Sequence, residues 1–172
     1  MLNISKYSDQ VYKIIGAAMT VHSELSWGLL EPVYQEALHI ELQDRGIENE
    51  REKEIDIYYK KRLLDKKYKM DIVVGDIIIE LKSVTSITPV HRAQLCNYLR
   101  LTRKPLGLLI NFGEESLIGE RWALVRLPAR RYRRWPPDPR GSLLPDPVHY
   151  TDRRGRSLPR ERPSCISASL YR

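Results

Sequence analysis

Residues 71–82 read Asp-Ile-Val-Val-Gly-Asp-Ile-Ile-Ile-Glu-Leu-Lys, and no other stretch restricts the fold as much. Two β-branched runs, Ile72–Val74 and Ile77–Ile79, are separated only by Gly75-Asp76. A Gly-containing pair between such runs predicts a hairpin with a two-residue turn. That turn sets the register: Val74 opposes Ile77, Val73 opposes Ile78, Ile72 opposes Ile79, and Asp71 opposes Glu80. Side chains alternate along a strand, so Lys82 shares a face with Glu80. Both faces of the hairpin carry apolar residues, as expected of strands covered on both sides. Two acids and a lysine therefore meet on a hairpin that is otherwise apolar. Opposed carboxylates repel unless a cation lies between them. A divalent ion suits the place, because Mg²⁺ takes one or two carboxylates plus waters and phosphate oxygens. A plain ion pair of Asp71 and Glu80 with Lys82 is the alternative, and the hairpin alone does not choose between them.

The flanking pattern supplies the other elements. Ser8 or Asp9 is a candidate cap for a first helix with Val11, Ile14, Ile15, Ala18, His22 and Leu25 at helical spacing. A second helix starts near Leu30, carries Pro32 in its first turn and stops at Gly46. Residues 50–59 read as a strand and 60–65 as a turn. Thr88-Pro89 opens a third helix through about Thr102, and Pro105–Phe112 is a buried strand. Strand, helix, strand implies a parallel crossover. Residues 117–127 add an edge strand. The expected fold is α/β, a mixed four- to five-stranded sheet flanked by helices.

The chain has 172 residues and a formal charge of +7. Residues 1–127 hold 18 basic and 18 acidic residues, so the excess lies entirely in 128–172, with 11 arginines against 4 acids and 8 of the 11 prolines. We read 1–127 as one domain and 128–172 as a disordered Arg/Pro-rich tail, because such composition buries too little apolar surface to offset ordering entropy. No run is long enough to span a membrane and no secretory leader is evident. Cys96 and Cys165 form no CxxC pair, and His22, His39, His91 and His149 have no zinc-type spacing. A reduced, cytoplasmic protein with no membrane partner is expected.

The element order, with Asp71, Glu80-Leu81-Lys82 and Gln94 in the following helix, resembles the PD-(D/E)XK nuclease superfamily. Gly28-Leu-Leu-Glu31-Pro-Val-Tyr34 is similar to the signature of the GxxExxY proteins within it. Tyr59, Tyr98-Leu99 and Leu109-Ile110-Asn111-Phe112 fall where that family has similar residues, and the likeness covers about residues 8–113. Met70 stands where the superfamily motif has proline, and the chain diverges from the family after Gly113.

The resemblance implies a restriction-endonuclease-like core and a metal-dependent nuclease acting on nucleic acid, DNA above all, with a homodimer as the possible assembly. Asp71 and Glu80 would hold Mg²⁺ or Mn²⁺, with Glu31 as a further carboxylate and the Leu81 carbonyl within reach. Lys82 would orient or deprotonate the attacking water and steady the charge on the phosphate. Gln94 would position that water or the neighbouring backbone, with Tyr98 one turn later on its face. Lys60, Lys61, Arg62 and Lys69, in a basic run with Lys66 and Lys67, are candidate phosphate contacts. A catalytically silent nucleic-acid-binding module on the same fold is the main alternative, and a structural protein with a buried ion-pair network is the third.

Overall fold

In a computed structural model, residues 4–126 and 163–169 are described. A 3-10 turn, Ile4–Tyr7, leads into α1 (Ser8–Leu25) and α2 (Glu31–Asp44). Strand β1 (Glu50–Ile55) follows, then a small hairpin of β2 (Tyr58–Tyr59) and β3 (Arg62–Leu63). Next come β4 (Tyr68–Val74), β5 (Ile77–Lys82), α3 (Pro89–Thr102), β6 (Leu106–Asn111), β7 (Ile118–Arg126) and β8 (Pro163–Ser169). The large sheet has the order β1-β4-β5-β6-β7-β8. β5 and β6 are parallel, joined by the α3 crossover, while β1-β4, β4-β5 and β6-β7 are antiparallel. The fold is therefore α+β with a mixed, helix-flanked sheet of the restriction-endonuclease-like kind.

The central hairpin has the expected register, with Ile72, Val73 and Val74 opposite Ile79, Ile78 and Ile77. Of the two turn residues only Gly75 takes positive φ, at 55°, the pattern of a turn with Gly first. The Tyr7 hydroxyl donates to Asp76 Oδ2 at 2.9 Å and ties the turn to the N-terminal segment. Strand alternation divides the core. Ile72, Val74, Ile77, Ile79 and Leu81 pack with Ile14, Tyr34 and Leu38 of α1 and α2. Val73 and Ile78 pack on the other face with Leu95, Tyr98 and Leu99 of α3. A sheet covered on both sides explains why its strands are continuous apolar runs.

Several boundaries differ from expectation. Neither Ser8 nor Asp9 caps α1, because Tyr7 holds the N-cap position after the 3-10 turn. The 50–59 segment is not one strand: β1 ends at Ile55, and Tyr58-Tyr59 belong to the small hairpin, whose reversal is only Lys60-Lys61. The stop after α2 forms as read. Gly46 has φ 67°, its N–H donates to Gln43 O at 2.8 Å, and the Ile47 N–H donates to Leu42 O at 2.8 Å. This pair of bonds satisfies carbonyls that the helix end leaves open. Thr88 forms a capping box with His91 at the start of α3.

β7 is not an edge strand, because β8 lies beside it. The short run Pro163–Ser169 was hidden by the Arg/Pro composition around it, and it brings Cys165 to α3, where its thiol lies 3.9 Å from Cys96 O. Both cysteines are free thiols. The remainder of the 128–172 tail lies outside the described residues. No helix among the described residues is long and apolar enough to cross a membrane.

Candidate active site

The site forms where β4 and β5 part. Their pairing runs back from the turn to Ile72 and Ile79, and the Leu81 N–H, beyond that rung, donates instead to Asp71 Oδ2 at 2.8 Å. The pleat also breaks here, since Met70 and Val73 both join the α3-side core although they are an odd three positions apart. On the other side of β4, Arg51 and Lys53 pair with Ile72 and Met70 and bracket Glu52, whose backbone is left-handed at φ 51°. Asp71 thus occupies a gap in the sheet rather than a regular ladder position.

Glu80 and Lys82 project from β5 beside it. Glu80 is 0% exposed and Lys82 7%. Lys82 Nζ donates to Glu80 Oε1 at 2.7 Å and lies 3.6 Å from Glu31 Oε1. Among the described residues Glu80 Oε2 is buried without a hydrogen-bond partner. An ionised buried carboxylate oxygen left unpaired costs free energy. The protonation equilibria carry the same tension. Burial, then the Asp71 charge, pushes Glu80 up to about 8. Burial raises Asp71 to about 6 against the opposing Leu81 N–H and Lys82, and the Glu31 and Glu52 charges add to the rise. Burial alone would lower the Lys82 amine, but Glu80, Glu31 and Asp71 together hold it above its ordinary value. Its neighbours thus favour the charged form of Lys82.

Glu31 is brought in by the loop before α2. Gly28 takes φ 96°, a conformation that favours glycine. The Tyr34 hydroxyl donates to Ser26 O at 2.8 Å and accepts from the Leu29 N–H at 3.1 Å. Its ring is 0% exposed and stacks on Phe112 at 4.6 Å. Ser83 Oγ donates to Leu29 O at 2.6 Å, fastening the same loop to the end of β5. The spacing from Gly28 through Glu31 to Tyr34 is therefore the geometry of a clamped loop that delivers one carboxylate to Lys82. The segment after β5 is held by the buried Asn111, which accepts from the Val84 N–H at 3.0 Å and donates to Val84 O at 2.7 Å. Gly113 lies so close that an added Cβ would meet Val84 N at 2.3 Å.

Gln94 and Tyr98 share a helix face, as expected from their spacing. Gln94 Nε2 donates to the Tyr98 hydroxyl oxygen at 3.0 Å. Tyr98 is 4% exposed, its ring belongs to the α3-side core, and it meets Tyr68 with ring centroids 5.9 Å apart. A ring so buried is not a contact surface for nucleic acid, and only its hydroxyl end bears on the site. Burial raises the Tyr98 phenol, and the Glu80 and Asp71 charges raise it further. Lys60, Lys61 and Arg62 are exposed on the β2–β3 hairpin, and Lys69 is exposed on β4 opposite Glu54. Lys67 is engaged by Glu54 at 2.8 Å and Asp56 at 3.7 Å.

Two participants escaped sequence reasoning. Gln35 Nε2 donates to Asp71 Oδ1 at 3.3 Å and to Asp71 O at 3.4 Å. Its signal was its place one turn after Glu31 on the same helix face. Glu52 adds its charge to Asp71 through the β1–β4 register, which no local pattern announces.

The donor set suits a hard divalent cation. Among the described residues no group of three or more His, Cys, Asp and Glu converges with metal-ligand spacing. Two carboxylates, with the Leu81 carbonyl between them in sequence, still match the sparse protein ligation that Mg²⁺ accepts. The unpartnered Glu80 oxygen is the observation that favours the fit.

A mixed sheet that parts at an Asp, followed by Glu-x-Lys on the next strand, is the arrangement of the PD-(D/E)XK nucleases. Residues 8–122 match that superfamily, and the chain belongs to it. Members generally use divalent metals. No curated protein matches the chain. One solved structure, titled "Crystal structure of SSO0001", aligns with 19% identity and a TM-score of 0.44, over 68% of this chain and 59% of that one.

Proposed function

We propose that this protein is a divalent-metal-dependent nuclease that hydrolyses phosphodiester bonds in DNA, of the GxxExxY kind within its superfamily. The observation that carries this reading is the fully buried Glu80, with one carboxylate oxygen unpartnered beside Asp71 and Lys82. An oxygen left unpartnered in a buried pair favours a bound cation over an ion-pair network that serves only structure.

Asp71 and Glu80 would hold Mg²⁺ or Mn²⁺, with the Leu81 carbonyl as a third oxygen. When bound, the ion supplies positive charge at the scissile phosphate and lowers the pKa of water there. The chain's residues do the rest. Lys82, held as an ammonium, offsets negative charge developing on a non-bridging phosphate oxygen. Glu31, whose side chain is 40% exposed, would serve the ion or its waters as a further carboxylate and take a proton from the entering one. Gln35 keeps the Asp71 carboxylate turned into the gap. Gln94 acts through the Tyr98 hydroxyl rather than on the water itself. The same reading takes the cytoplasm as the location, and light scattering on the purified protein tests the homodimer.

The test is nicking of supercoiled plasmid in Mg²⁺ or Mn²⁺. Cleavage is expected to cease in EDTA and to fall at least about a hundredfold in Asp71→Ala, Glu80→Ala and Lys82→Ala, each checked for folding by circular dichroism. Folded wild type that leaves plasmid, linear duplex and single-stranded DNA intact with both metals overturns the reading. Salt-dependent DNA binding that Asp71→Ala leaves unchanged, without cleavage, establishes the silent binding module instead.

A further inference from the structure

The connection from β1 to β4 leaves the sheet at Ile55 and returns at Tyr68, its pairing partner. Between them stands the β2–β3 hairpin, with Tyr58 opposite Leu63 and Tyr59 opposite Arg62. A chain that only needed to join two paired strands would use a short polar turn. This one instead displays large apolar groups: Tyr58 is 63% exposed, Tyr59 60%, Leu63 53% and Tyr68 47%.

The charge beside them is mainly positive, five Lys and Arg against Asp56 and Asp65 over residues 56–67. Lys60, Lys61 and Arg62 occupy consecutive positions at the tip, and Lys60 Nζ lies 5.5 Å above the Tyr59 ring. Both turn lysines have left-handed backbones, φ 47° and 68°. That geometry is the one a tight hairpin requires, and Asn or Gly would adopt it more easily. Lysine there sacrifices backbone ease and gains two cations at the tip.

The hairpin also stands at the functional end of the sheet. β4 begins at Tyr68 and reaches Asp71 three residues later, about 10 Å along the strand. Tyr68 packs against Tyr98, whose hydroxyl end senses the Glu80 and Asp71 charges.

We propose that the β2–β3 hairpin is a stacking platform for unpaired bases, so that the substrate class is single-stranded nucleic acid or a duplex with a single-stranded branch. The inference rests on the nucleic-acid reading above and narrows it. Tyr58 and Tyr59 are neighbours on one strand and so lie on opposite faces of the hairpin; each exposed ring offers a π-face to a base, and the three cations at the tip engage the phosphates. A paired duplex buries its base faces, so it engages the cations and not the rings.

The test is fluorescence anisotropy in EDTA, with a fluorescein-labelled oligo-dT of twenty nucleotides and a duplex of equal length, on the full-length protein. Wild type is expected to bind the single strand at least about tenfold more tightly than the duplex. Tyr58→Ala combined with Tyr59→Ala should weaken single-strand binding about tenfold or more and leave duplex binding within twofold. The corresponding double Phe variant should restore single-strand binding, since stacking needs the ring and not the hydroxyl. Replacing Lys60, Lys61 and Arg62 by Gln should weaken both ligands and reduce the salt slope by up to about 2 for the single strand. The tyrosines are exposed, so their loss leaves the core intact, and a thermal melt verifies it. Unchanged oligo-dT affinity in the double Ala variant, or equal wild-type affinity for duplex and single strand, overturns the inference. Binding is measured without metal, so an inactive protein that still binds oligo-dT through its tyrosines defeats the nuclease reading and not this one. A cleaving protein indifferent to those tyrosines does the reverse.

Discussion

Glu80→Gln should stabilise the metal-free protein at alkaline pH while abolishing cleavage. Glu80 is held at about 8 against an ordinary value of 4.5. At ~1.4 kcal/mol per pH unit, ionising it in the fold opposes stability by on the order of 5 kcal/mol. Glutamine has nearly the same shape and keeps an oxygen for Lys82 Nζ, but brings no charge into the gap with Asp71. Relaxation and loss of the charged pair with Lys82 take back much of the gain. A net increase of at least ~1 kcal/mol is expected at pH 9, or about 2–4 °C in Tm for a chain of this size. The pH dependence has a defined sign. Both acids bind protons more tightly folded than unfolded, so stability is greatest below their ordinary values and falls as pH rises through about 6 for Asp71 and about 8 for Glu80. Scanning calorimetry in EDTA from pH 5 to 9 should show wild type losing Tm across this window more steeply than Glu80→Gln. Excess Mn²⁺ should raise the wild-type Tm at pH 8 and leave the variant nearly unmoved. A variant less stable than wild type at pH 9, or a wild-type Tm that climbs between pH 6 and 9, refutes the argument that Glu80 is a strained, ion-seeking carboxylate.

Two more outcomes follow from the same geometry. Mn²⁺ binding at pH 7 should release about one proton, mostly from Glu80, and almost none at pH 9.5. Titration calorimetry in buffers of different ionisation enthalpy measures this, and proton uptake or no release at pH 7 contradicts it. Tyr34→Phe keeps the stacked ring but loses two hydrogen bonds in the loop before α2, with an expected cost of about 1–3 kcal/mol. Chemical denaturation reads that cost. A fall in Mn²⁺ affinity or cleavage in the folded variant shows that the loop delivers Glu31, whereas unchanged values show that Tyr34 serves only the core.

Local pattern made much of this protein legible. The β-branched runs around Gly75-Asp76 set a register that brings Glu80 and Lys82 to one end of the hairpin, because strand alternation and a two-residue turn leave no other pairing. Gly46 and Thr88 marked helix ends through backbone chemistry that acts within a few residues. Misreadings arose where local and tertiary preferences part. Tyr98 has helical spacing suited to either core or site, and only packing against α3's neighbours buried its ring. Pro163–Ser169 lies in a segment whose average composition argues against structure, yet β7 offers it an open edge.

What the chain determined by itself is the identity and approximate meeting of two acids and an amine, since alternation along neighbouring strands is a short-range geometric rule. Tertiary structure decided the energies. Burial on both faces of the sheet turned Glu80 from an ordinary acid into one that resists ionisation, and Glu52, Gln35 and Glu31 reached Asp71 and Lys82 from β1 and α2. Such effects depend on which distant segments exclude water and which charges they bring, and no window of sequence encodes that.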